Sequence, residues 1–140
     1  MMYLSLASKW VVAAYVHRMS SSEEYSAQLR RAFQELQMKM VETKQRIDHG
    51  EVIKRIQKQR EKVASLTKEQ LERLEADRAV YRSLGRMFLK STVASEIERH
   101  SDEIRKAQEK IAAIDRQKEY LEKSLGESEK NLREMIQSRP

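Results

Sequence analysis

The 140-residue chain contains no cysteine, a single proline, Pro140, and three glycines: Gly50, Gly85 and Gly126. Without cysteine it can build neither a disulfide scaffold nor a thiolate metal site, which fits a reducing compartment. With almost no helix breakers, long helices run unpunctuated. The three histidines, His17, His49 and His100, have no His or Cys partner at metal-ligand spacing. A glycine-rich phosphate loop is absent, as is any nucleophile–base constellation. These absences argue against an enzyme, a metal protein or a cofactor-binding protein.

Charge is what the chain has in abundance. Charged residues are 36% of the sequence and the net charge is +6. A composition rich in Ala, Glu, Lys, Leu and Arg reads as long helix or coiled coil. The charge is unevenly laid out. Residues 29–62 carry ten Lys/Arg against five Asp/Glu, a balance of +5, and residues 93–140 carry ten against eleven, a balance of −1. A basic arm beside a nearly balanced one can attract along coiled-coil flanks. The acids Glu35, Glu42, Asp48, Glu51 and Glu61 interleave the basic arm, which favours a solvated helix face over a nucleic-acid stripe.

Between the arms lies AVYRSLGRMFLK, residues 79–90. Val80, Tyr81, Met87, Phe88 and Leu89 suit a pleated, half-buried surface, and Gly85-Arg86 sits where a two-residue type II′ turn would. The expectation is an antiparallel pair, residues 79–84 with 87–90. The competing reading is a continuous helix interrupted by a stray glycine. A lone hairpin is marginal in water and leaves two open edges. The chain offers no third strand, so partner strands must come from other subunits.

Residues 1–22 form an N-terminal extension, expected to be disordered or not native. Residues 1–18 contain no acid, and their apolar run, residues 10–16, is far short of the roughly 20 residues that span a bilayer. A targeting segment and an upstream extension of the coding frame both fit. Met19, followed by three serines and two glutamates, has the form of a start and a helix N-cap. The first coiled-coil helix is expected over residues 23–66, about 60 Å long. Its expected seam runs through Leu29, Phe33, Leu36, Met40, Thr43 and Ile47, continues to Gly50, then shifts phase to Ile53, Ile56 and Val63. Gly50 marks a close approach of the second arm. Thr67 and Gln70 fit a capping box that opens a short helix over 68–76, so residues 67–92 form a short helix plus hairpin. The second helix, residues 93–140, follows a cap at Ser91 or Thr92. It keeps two strict heptad rows: Ile97, Ile104, Ile111, Lys118, Leu125, Leu132, and His100, Ala107, Ile114, Leu121, Ser128, Met135. Lys118 is a polar residue of the kind that specifies register. The fold class is all-α dominated with a small β element: a long antiparallel two-helix coiled coil joined by a hairpin whose partner strands come from other subunits.

Three stretches, LRRAFQELQMKMVETKQRI, YRSLGRMFLKS and IDRQKEYLEKSLGESEKNLREMI, resemble the β-type subunits of the prefoldin family. The resemblance covers residues 28–140 and leaves 1–18 aside. It implies a heterohexamer of two α-type subunits with this chain and three further β-type subunits, whose hairpins join into a double β-barrel platform bearing paired helices. It implies an ATP-independent cytoplasmic co-chaperone that holds unfolded polypeptides such as actin and tubulin and delivers them to the cytosolic group II chaperonin. On that reading Tyr81, Leu84, Gly85, Met87, Phe88 and Leu89 are subunit-assembly residues. Leu29, Phe33, Leu132, Met135 and Ile136, at the tips of the arms, bind client. No cofactor, metal or membrane is implied. The alternative is a basic coiled-coil scaffold or nucleic-acid-binding protein.

Overall fold

The computed structural model describes residues 2–138, with side chains from residue 8 onward. In chain order they form helix α1 (Met2–Glu72), strands β1 (Val80–Leu84) and β2 (Met87–Ser91), and helix α2 (Val93–Gln137). The hairpin is real: the two strands pair antiparallel with Leu84 opposite Met87 and Val80 opposite Ser91. Among the described residues only Gly85 has a positive φ, at 60°. A two-residue loop with its first residue left-handed and its second not is the type II′ turn.

Both ends of the first arm differ from expectation. The extension is helical from Met2, because the serines expected to cap a new helix bond backwards instead. Ser20 Oγ donates to the His17 carbonyl and Ser21 Oγ to that of Arg18, each at 2.9 Å, as hydroxyls in a helix interior do. The capping box at Thr67 does not form either. Thr67 Oγ1 donates to the Val63 carbonyl at 2.8 Å, and α1 continues to Glu72. There Arg73 N–H to Gln70 carbonyl and Leu74 N–H to Leu71 carbonyl bonds tighten the last turn. Thr92 caps α2, its Oγ1 accepting the Ser95 N–H at 3.2 Å.

The residues fall into two compact units. One combines α1 up to Lys44 with α2 from Leu121, and the other comprises Gln45–Tyr120. In the first, the Tyr25 hydroxyl donates to the Met135 carbonyl. Lys39 Nζ donates to Ser128 Oγ at 2.6 Å and to the Ser124 carbonyl at 3.2 Å. In the second, Lys118 Nζ bonds Glu51 Oε1 at 3.0 Å, Lys54 pairs with Asp115, and Gln108 Nε2 donates to Glu61 Oε1 at 2.7 Å. In each unit rising numbers on α1 meet falling numbers on α2, so the segments pack antiparallel. Lys118 and Ser128, two of the three polar members of the α2 rows, are the ones that answer Glu51 and Lys39.

Every residue of both heptad rows expected in α2 is buried or partly buried. The α1 seam needs correction. Phe33, Met40, Ile56 and Val63 are exposed. The expected Leu29, Leu36, Thr43, Ile47, Gly50 and Ile53 are buried or partly buried, and one covered row, Leu29, Leu36, Thr43, Gly50, Gln57, Ala64 and Leu71, keeps a strict heptad throughout. Small and polar residues occupy the seam, where they let the backbones come close. At Gly50 a β-carbon would meet Ile114 Cγ2 at 3.3 Å, which is the close approach the glycine suggested.

Candidate functional site

Alternation along each strand sorts the hairpin into two faces. Val80, Arg82 and Leu84 share one with Met87, Leu89 and Ser91, while Tyr81 and Ser83 share the other with Phe88 and Lys90. The first face is tied to the start of α2. Glu96 is only 5% exposed. It accepts from Arg99 Nε at 2.8 Å and faces Arg82 Nε across 3.4 Å. Burial pushes its carboxyl up, but hydrogen bonds from Arg99 and Ser91 and the charges of Arg99 and Arg82 outweigh burial and hold it below its ordinary value. Arg99 also grips Glu103 at 2.6 Å. The Arg82–Glu96–Arg99 cluster therefore fixes β1 against α2. Nothing in the sequence patterns singled it out beyond an acid in the first turn of a helix, where the macrodipole favours one.

The apolar side chains of the hairpin stay in water. Phe88 is 74% exposed and Met87 72%, and Tyr81, Leu84 and Leu89 are exposed as well. The sheet has two strands, so each strand has an outer edge of unpaired backbone groups. Exposed apolar side chains beside open edges make a surface built to be covered by other strands.

The unit that holds the end of α2 offers a second surface, which α1 runs past on its way from Met2. Leu29, Phe33, Leu132 and Ile136 line a groove of about 430 Å³ with Arg30, Gln34 and Gln37. Phe33, expected in the seam, lies outside it and is 51% exposed, matching Ile136 at 52%. Leu29, Leu132 and Met135 are partly buried. The five tip residues thus split into seam members and exposed ones. Tyr25 and Lys39, which bridge the two helices there, were not anticipated.

Similarity to known proteins decides the family. The family described as Prefoldin subunit matches residues 34–139. The chain belongs to the prefoldin family. It is 50% identical to the probable prefoldin subunit 1 of Caenorhabditis briggsae over 112 residues, which cover 80% of this chain and 96% of that protein. It is 34% identical to prefoldin subunit 1 of Homo sapiens over 115 residues, 80% and 92% of the two chains. Among solved structures, the prefoldin beta subunit from Thermococcus strain KS-1 shares the fold, with a TM-score of 0.62 at 17% identity over 81% of this chain and 95% of that one. Prefoldin is a hexameric co-chaperone, and membership implies assembly with other prefoldin subunits. Among the described residues no helix is long and apolar enough to cross a membrane.

Proposed function

We propose that this chain is a β-type subunit that enters the prefoldin heterohexamer through its hairpin and holds non-native polypeptide at the tips of its helices. The exposed apolar hairpin carries the reading: Tyr81, Leu84, Met87, Phe88 and Leu89 are left uncovered by the chain's own helices. Gly85 supplies the turn that sets the register. Two α-type and three further β-type subunits provide the missing strands. At the tips, Leu29, Phe33, Leu132, Met135 and Ile136 offer an apolar patch rimmed by polar groups, suited to weak and promiscuous contact. The clients are unfolded chains of the actin and tubulin class, held without ATP in the cytoplasm and passed to the cytosolic group II chaperonin.

Native mass spectrometry tests assembly. Co-expressed with the other five subunits, the chain is expected in a hexamer at one copy; a stable homodimer in their presence would overturn the proposal. Removing residues 132–140 should then weaken suppression of client aggregation while the hexamer persists. Unchanged suppression would remove the tips from the mechanism.

A further inference from the structure

A second apolar row runs along α1 outside its seam. Val52, Ile56, Val63 and Leu66 follow coiled-coil spacing, with Gln59 completing the 4-3-4-3 pattern. Their exposures are 52, 46, 58 and 52%. Scattered surface aliphatics need no explanation, but four in heptad register make a stripe that one more helix fits. On an ideal helix the stripe lies about 130° around α1 from the seam, so α2 does not cover it.

The rim of the stripe is basic. Arg55, Arg60 and Lys62 flank it on α1. Beside it Ile56 and Val63 share a groove with Arg60, Lys106 and Lys110. Among the described residues none of these five cations forms an ion pair, whereas Glu103, the one acid lining the groove, is already held by Arg99 at 2.6 Å. A second copy of the stripe would set like charges against each other. An apolar ridge flanked by Asp and Glu would satisfy both the stripe and its rim, as complementary flanks do in coiled coils. The stripe also belongs to the same compact unit as the hairpin, and a strand pairing there carries a neighbour's helices with it.

We infer that the 52–66 stripe of α1 receives an acid-flanked amphipathic helix from a neighbouring prefoldin subunit, a helix-to-helix contact added to the strand pairing of the hairpin. The inference rests on the hexameric reading above. To test it, a photoactivatable benzophenone residue is placed at Val63, at Ile56, or at the exposed control Ser65 on another side of α1, in hexamer verified by native mass spectrometry. Val63 and Ile56 should each cross-link to an Asp/Glu-rich helix of another subunit at several-fold higher yield than Ser65. Arg60→Glu combined with Lys62→Glu should cut that yield several-fold. Cross-links to a second copy, to added unfolded client only, or to nothing in intact hexamer would overturn this inference alone. Failure to form a hexamer at all would overturn the assembly reading with it.

Discussion

The three glycines do three different things, and two of them predict a mutant. Gly85 holds φ at 60° in the hairpin turn, so Gly85→Ala should cost roughly 1–2 kcal/mol, the penalty of a left-handed β-carbon-bearing residue. Gly126 has open space around it, with nothing within 4 Å of an added β-carbon. Gly126→Ala should therefore stabilise by about 0.8–1 kcal/mol from helix propensity alone, read as a rise in the urea midpoint. Gly50 differs from both, because its β-carbon would press on Ile114. Carboxylates set the acid limit. Glu51 is held below its ordinary 4.5 by the Lys118 hydrogen bond and charge, Asp115 below 3.8 by the Lys54 hydrogen bond, and Glu96 below 4.5 by its arginine and serine partners. A depressed folded pKa gives stability that is present above the unfolded value and lost as pH falls through the folded one. Melting temperature should thus be flat near neutrality and fall as pH drops below the ordinary carboxylate range. Glu96→Gln should be destabilised at neutral pH yet lose less on acidification; an acid limb as steep as that of the parent chain would remove Glu96 from the account.

At the scale of the element, the corrected seam makes a paired prediction. Leu36 lies in the buried α1 row and Phe33 outside it. Leu36→Ala should cost roughly 1–2 kcal/mol, less than for a fully buried leucine because the site is partly open. Phe33→Ser should change stability by no more than about 0.5 kcal/mol, as exposed positions do. Urea unfolding of the two variants side by side decides between the seams, since the expected seam would make both costly. The comparison shows what was legible and what was not. The α2 rows were readable because isoleucine and leucine fill seven of the twelve seam places, so composition and period agree. In α1 they disagree. The large apolar residues Phe33, Met40, Ile56 and Val63 mark outward faces, while between Leu29, Leu36 and Leu71 the most covered places go to Thr43, Gln57 and Ala64, with Ala32, Lys39 and Gly50 partly covered. A hydrophobic period finds Leu29, Leu36, Ile47 and Ile53 but not the small and polar seam places between and beyond them, whose burial follows from hydrogen bonds and close backbone approach. Lys39 is the clearest case, since only its bonds to Ser124 and Ser128 explain its place. The hairpin was legible because Gly85 forces the chain's one described left-handed turn. Thr92 caps α2 as expected, but the caps expected at Ser20, Ser21 and Thr67 misled because a hydroxyl at a helix start and one bonding back along a helix look the same in sequence.

At the scale of the molecule, the proposed assembly and client surfaces use different residues and lie in different compact units, so they should be separable by mutation. Phe88→Asp places a charge on the most exposed apolar position of the hairpin and should abolish hexamer assembly while circular dichroism of the chain stays helical. Phe33→Asp with Ile136→Asp should leave the hexamer intact and weaken its hold on client. The size of that loss depends on avidity. Each tip offers a small, half-exposed patch, and its hold alone is weak. Several tips engaging one unfolded chain convert later contacts into intramolecular ones, raising apparent affinity by about 10²–10⁴-fold without any stronger contact. The isolated chain should therefore suppress client aggregation far less than the hexamer at equal concentration of this subunit. Hexamer carrying the doubly charged tip should fall between the two, because its other subunits still engage. Equal suppression by the isolated chain and the hexamer would mean that one tip suffices and that assembly serves a purpose other than holding.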